Sequence, residues 1–209
     1  MHARIFYSKI NRTKSTLEAS VEWHIAPSSL LQKKIIATHL DSFLDLYRDY
    51  SEKQLGLKPG LSKAAWLTKM IEDELEEIKQ GKLYLATISL EDNIAGFIVC
   101  APVKARNEEE KARDKNLKTD VYISLLAIKP FRYFKSQNKI HIGLGQQLIE
   151  SVESKFTDAN MITLDTRLIN KPAMSFYEKL GFNSTGKRTL GGSNPDYYTG
   201  YEKFIMRQV

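Results

Sequence analysis

The chain has 209 residues, 42% hydrophobic and 27% charged, enough for one domain with a full core and short for two. Its formal charge of +6 favours polyanionic partners such as a phosphorylated cofactor; lysine and arginine are spread without a continuous basic run, and no recognised nucleic-acid motif accompanies them, so nucleic acid is not an expected partner. The single cysteine, Cys100, excludes a disulfide framework, and no apolar run suits a signal peptide or a bilayer span, which sets the expectation of a cytoplasmic protein without a membrane partner.

Residues 1–20 have little periodicity and read as an N-terminal extension with one edge strand over Arg4 to Tyr7; residues 21–209 read as the domain. Val21 to Ala26 reads as a strand, and Pro27 and Ser28 start a helix whose apolar positions are Ile36, Leu40, Phe43 and Tyr47. Gly56, Pro59 and Gly60 break the chain before a second helix, capped by Ser62, with Leu67, Met70, Ile71, Leu75 and Ile78 inward and Gly81 as its stop. Lys82 to Leu90 and Ile94 to Val103 flank Glu91, Asp92 and Asn93 as a β-hairpin, and Cys100 in its second arm reads as a buried small hydrophobe. Residues 104–119 form a mixed-charge loop.

Val121 to Lys129 reads as a strand ended by Pro130, and Leu144, Leu148, Val152 and Phe156 mark a third helix. Ahead of that helix, Gly143 and Gly145 let backbone amides of Ile142, Gly143, Leu144, Gly145 and Gln146 approach an anion at the helix N-terminus, although such glycines equally serve a tight turn. His141 beside them reads as exposed. A strand through Leu164 and Thr166 then leads past Asn170 into a short helix with Ala173, Phe176, Tyr177 and Leu180 on one face and Gly181 after it. Phe182 to Leu190 and Tyr197 to Met206 flank a turn-rich segment as a closing antiparallel pair.

The string ITLDTRLINKPAMSFYEKLGF, residues 162–182, resembles the signature of the GNAT superfamily of acyl-CoA-dependent N-acetyltransferases. The resemblance extends over residues 21–207, with specific motifs in 121–182. It implies an α/β fold, a mixed, mostly antiparallel β-sheet with helices on both faces, and acetyl-CoA as acyl donor with no metal. It places the CoA pyrophosphate on the amides of residues 142–146, pantetheine on the backbone of Leu126, Ala127 and Ile128, and Asn170 beside the pantetheine, while Asn170 equally suits a helix cap. It makes Tyr177 the proton donor to the departing thiolate, though the residue also falls on the apolar helix face.

Three departures accompany the resemblance. Ile140 stands where the family loop carries Gln or Arg, and residues 131–139 make that loop longer, as a surface insertion or a flap over the cofactor. Ser124 stands where many members carry a glutamate base. An amine with a pKa near 10.4 is neutral to roughly one part in a thousand at pH 7.4, so its deprotonation needs a path. Ser124 is too weak a base itself but can hold a water, with Tyr122, Asp120 or a residue from elsewhere completing the path.

No side chain has the context of an activated nucleophile, so direct transfer within a ternary complex is expected. The acceptor amine is shaped by Tyr50 to Leu61 and by the final hairpin with Tyr197, Tyr198 and Tyr201; Glu72, Asp73, Glu76 and Glu77 form a solvated face or an attractor of cations. The other reading is a non-catalytic acyl-CoA-binding sensor. A monomer or a homodimer is expected.

Overall fold

A computed structural model describes residues 4–5, 19–57, 59–90, 93–103, 120–130, 133, 143–186 and 197–205. In chain order they form β1 (Arg4–Ile5), β2 (Ala19–His24), α1 (Ser29–Leu46), α2 (Lys63–Lys79), β3 (Tyr84–Leu90), β4 (Asn93–Val103) and β5 (Asp120–Ile128). There follow α3 (Leu144–Lys155), β6 (Met161–Arg167), α4 (Lys171–Lys179), β7 (Asn183–Ser184) and β8 (Tyr198–Phe204). The strands make an eight-stranded sheet in the order β1-β2-β3-β4-β5-β6-β8-β7. β5 and β6 are parallel, whereas β1-β2, β2-β3, β6-β8 and β7-β8 are antiparallel, giving the mixed, mostly antiparallel sheet with helices that the resemblance implies. The described residues fall into two compact units, one drawn from Met1–Val99 and Leu125–Ser151, the other from Cys100–Ser124 and Val152–Val209.

In the first unit, each long helix opens on a serine cap. The Ser28 hydroxyl accepts from the Leu31 amide at 3.3 Å and the Ser62 hydroxyl from the Ala65 amide at 3.2 Å. Gly81 takes φ 72 after α2, the left-handed stop expected there. The core joins Ile35 of α1, Ile71, Leu75 and Ile78 of α2, Leu85 of β3, Phe97 and Val99 of β4, and Leu125 and Ala127 of β5. The four acidic residues of the other α2 face are all exposed, and Lys69 and Lys79 bond Asp73 and Glu76, so this is a solvated face.

The sequence misplaces two features of this unit. The strand expected over Val21 to Ala26 runs over Ala19–His24, its ladder with β3 ending at the His24↔Leu85 pair. The buried face of α1 is Ile35, Thr38 and His39, with Ile36 and Phe43 at its edge. Thr38 hides its polarity by donating to the Lys34 carbonyl at 2.9 Å, so a polar residue occupies an inward position that hydropathy assigns outward. His39 is fully buried, its ring 4.6 Å from that of Phe43, and neither ring nitrogen has a partner among the described residues. Burial lowers its pKa to about 4.

In the second unit, β6 lies between β5 and β8. Leu164 and Tyr201 are partners and share a face, on which Tyr201 meets Tyr177 of α4 at 5.9 Å between ring centroids. Tyr177 also contacts Phe182, so the short helix is held by an aromatic cluster. Lys203 on this face reaches Glu153 of α3 at 2.7 Å. The β7-β8 pair is the closing antiparallel pair expected, and residues 187–196 between its arms lie outside the described residues.

Candidate active site

Gly143 precedes α3 at φ 84, and its carbonyl accepts from the Gln147 amide at 2.9 Å, making it the residue on which the helix opens. A Cβ there would meet nothing within 4 Å, so the glycine answers to backbone conformation rather than to crowding. The amides of Leu144, Gly145 and Gln146 fall in the first helical turn, where no carbonyl of the same helix can take them. Among the described residues these amides meet no partner, and with the positive dipole end of the helix they offer the donor chemistry a pyrophosphate requires. The Gln146 side chain is spent on Glu150 at 2.8 Å. Ile142, Ile140 and His141 lie outside the described residues, as does the 131–139 insertion apart from Tyr133, whose ring lies 4.2 Å from the Lys129 ammonium.

Leu126, Ala127 and Ile128 end β5 in the same unit as the glycine pair. Their position is fixed from two sides. Ser42 of α1 donates to the Ile128 carbonyl at 2.6 Å, and the Lys129 amide donates to the Ala95 carbonyl at 2.8 Å. Gly96 lies against this segment so closely that a Cβ would stand 2.7 Å from the Ala127 carbonyl oxygen and collide with Ile128 Cδ1. Neither Ser42 nor Gly96 carries a sequence signal, since each acts on a strand distant in the chain.

In the second unit Asn170 caps α4, its Oδ1 accepting from the Ala173 amide at 3.1 Å. Tyr177 is buried, on the face that carries Leu164 and Tyr201. Tyr122 is paired with Thr163, one residue out of phase with Leu164, and so lies on the opposite face of the strands. The structure therefore separates Tyr122 from Tyr177 by the thickness of the sheet. The Tyr122 hydroxyl donates to Asp165 Oδ2 at 3.3 Å, a long bond that holds orientation. Ser124 follows two residues along β5 and is half-buried.

Of the aromatic residues expected around the acceptor, Tyr201 is fully buried and its hydroxyl donates to Glu178 at 3.0 Å; burial first, then that bond, pushes its phenol up. Cys100 is buried and burial pushes its thiol up, the state of an inert core residue. The Tyr50 to Leu61 connection is anchored by Lys63, whose ammonium donates to the carbonyls of Tyr47, Arg48 and Tyr50 at 3.0, 3.1 and 2.6 Å. Among the described residues no helix is long and apolar enough to cross a membrane.

A sequence profile of the acetyltransferase (GNAT) family matches residues 40–182, and the chain belongs to that family. No curated protein sequence matches it. Among solved structures it is similar to the PaiA N-acetyltransferase of Thermoplasma acidophilum in complex with coenzyme A, at 18% identity and a TM-score of 0.60 over 89% of this chain and 99% of that one. It is similar to the aminoglycoside 6'-acetyltransferase type Ii, at 15% identity and a TM-score of 0.56, with 90% and 99% covered. A third similar structure is a Salmonella typhimurium acetyltransferase that modifies the N-terminal serine of a 50S ribosomal subunit protein, at 13% identity and a TM-score of 0.53, with 92% and 97% covered. These identities establish the shared fold, and the two acceptors named among them, an aminoglycoside and a protein N-terminal serine, differ from one another.

Proposed function

We propose that this protein is an N-acetyltransferase that moves an acetyl group directly from acetyl-CoA to a primary amine carried by a small molecule, a protein or a peptide. The observation that carries the reading is the opening of α3, where Gly143 at φ 84 leads into first-turn amides that the helix itself cannot use. These amides hold the pyrophosphate, and the backbone of Leu126 to Ile128 pairs with pantetheine and polarises the thioester carbonyl. Asn170 serves as cap and pantetheine contact, and Tyr177 protonates the thiolate. Tyr122 and Ser124 hold the water through which the amine is deprotonated.

The test is thiol release from acetyl-CoA across a panel of amines, with a calorimetric titration of acetyl-CoA beside it. Binding with turnover is the expected result. Binding without turnover on any amine favours an acyl-CoA sensor, the reading that the serine at position 124 motivates. Absence of binding overturns both.

A further inference from the structure

We propose that Asp165 is the general base that the family's strand position lacks in this chain, an inference that rests on the acetyltransferase reading above. The parallel ladder between β5 and β6 runs Val121↔Ile162, Tyr122↔Thr163 and Ile123↔Leu164. The next residue on β5 is Ser124, where the glutamate is missing, and the next residue on β6 is Asp165. A carboxylate therefore stands one strand over, beyond the same rung of the ladder. The Tyr122 hydroxyl holds its Oδ2 at 3.3 Å, joining in one hydrogen bond a residue expected on the deprotonation path and a group able to end that path.

The surroundings suit the role. β6 and β8 pair without a break from Met161↔Phe204 to Arg167↔Tyr198, so alternation puts Thr163, Asp165 and Arg167 of β6 on one face with Glu202, Gly200 and Tyr198 of β8. Gly200, directly across from Asp165, contributes no side chain beside the carboxylate. Asp165 is half-buried, neither sealed from an acceptor nor dispersed in bulk water. The titratable and charged groups on this face of β5, β6 and β8 are Asp120, Tyr122, Arg167, Tyr198 and Glu202, and the Arg167 guanidinium is stacked 4.8 Å from the centroid of the Tyr198 ring. Tyr177 belongs to the other face, so the group that removes a proton is kept apart from the group that delivers one.

In the step itself the substrate ammonium gives one proton to Asp165, directly or through a water held at Ser124. The freed nitrogen pair forms the C–N bond to the thioester carbonyl carbon, and the carbonyl π pair moves to oxygen. Its return breaks the C–S bond, and that pair leaves on sulfur. The nitrogen loses its second proton and the thiolate gains one, so the products are the amide, the CoA thiol and one proton released to solvent.

The experiment is the pH dependence of kcat/KM for a competent amine in the unmodified protein, Asp165→Asn and Asp165→Asn/Ser124→Glu, with acetyl-CoA affinity and thermal melting measured for each. With a base that accepts the ammonium proton in the complex, the unmodified profile stays flat across the range in which the neutral-amine fraction rises about tenfold per pH unit. Asp165→Asn is expected to lose about 100-fold or more at neutral pH and to acquire a slope near one, with acetyl-CoA affinity unchanged. The added glutamate is expected to restore part of the rate, which a structural role for Asp165 would not allow. A slope near one in the unmodified enzyme overturns the assignment without any variant having to fold. A folded Asp165→Asn protein with the unmodified rate and profile overturns it equally and leaves the acetyltransferase reading standing, whereas failure of the unmodified protein to release thiol with any amine overturns that reading first.

Discussion

His39 is a histidine in an apolar setting, facing Phe43 and Phe97 with no partner for either nitrogen among the described residues. Its folded pKa, about 4, lies below the ordinary 6.5, so the unfolded chain binds more protons at intermediate pH. The stability that the neutral imidazole permits is fully present above about pH 6.5 and is lost as pH falls toward about 4, to a total on the order of 3 kcal/mol. His39→Leu removes the titration, and denaturant unfolding of the two proteins at pH 7 and pH 5 should show a stability gap that closes only in the variant. Tyr177 needs the opposite kind of test, because it packs and is also expected to donate a proton. Tyr177→Phe keeps the ring contacts with Phe182 and Tyr201, so melting should hardly change while turnover falls roughly 10- to 10,000-fold. Equal turnover in the Phe variant would leave Tyr177 a core residue only. The candidates Tyr177 and Asn170 were visible in the sequence because their helix carries a motif in one dimension. Asp165 was not, since within a strand it reads as one more outward polar position, and only the lateral register with β5 gives it a neighbour that matters.

At the scale of elements, capping serines, stop glycines and apolar spacing located α1 to α4 closely, because those signals act within a few residues of chain. The exit of β5 shows what such signals omit. Three restraints meet there, the Ser42 hydroxyl, the Ala95 carbonyl and the absent side chain of Gly96, and each comes from an element distant in sequence. Gly96→Ala places a methyl against backbone that cannot rotate away, so we expect a loss of about 1–3 kcal/mol in stability together with weakened acetyl-CoA binding. Gly145→Val should differ. It puts a branched side chain at a buried position in the first turn of α3, so affinity should drop by at least a few kcal/mol, read in a variant that still folds. Calorimetry and thermal melting on the two variants separate these patterns, and unchanged affinity in folded Gly145→Val would remove this loop from the cofactor's path.

For the whole molecule, the order of strands and helices was readable from punctuation and period, and the family match over residues 40–182 agrees with it. The order of strands within the sheet was not readable, because hydropathy does not say which edge meets which. The buried face of α1 was read only in part: Ile36 and Phe43 pack against the core and Tyr47 is buried as expected. An internally satisfied Thr38 and a desolvated His39 join that face without leaving an apolar trace.

Lys63 has a consequence for chemical labelling. Its ammonium spends three donors on the carbonyls that end α1, so its nitrogen is enclosed by oxygen atoms while Lys69 and Lys79 on the same helix reach solvent. In a protein whose proposed chemistry is acylation of amines, this lysine is expected to resist acylation itself. Treatment of the folded protein with a water-soluble acetylating reagent, followed by peptide mass spectrometry, should modify Lys69 and Lys79 early and Lys63 late, with the difference vanishing in denaturant. Modification of Lys63 at the same pace would mean that the connection it anchors opens freely in solution.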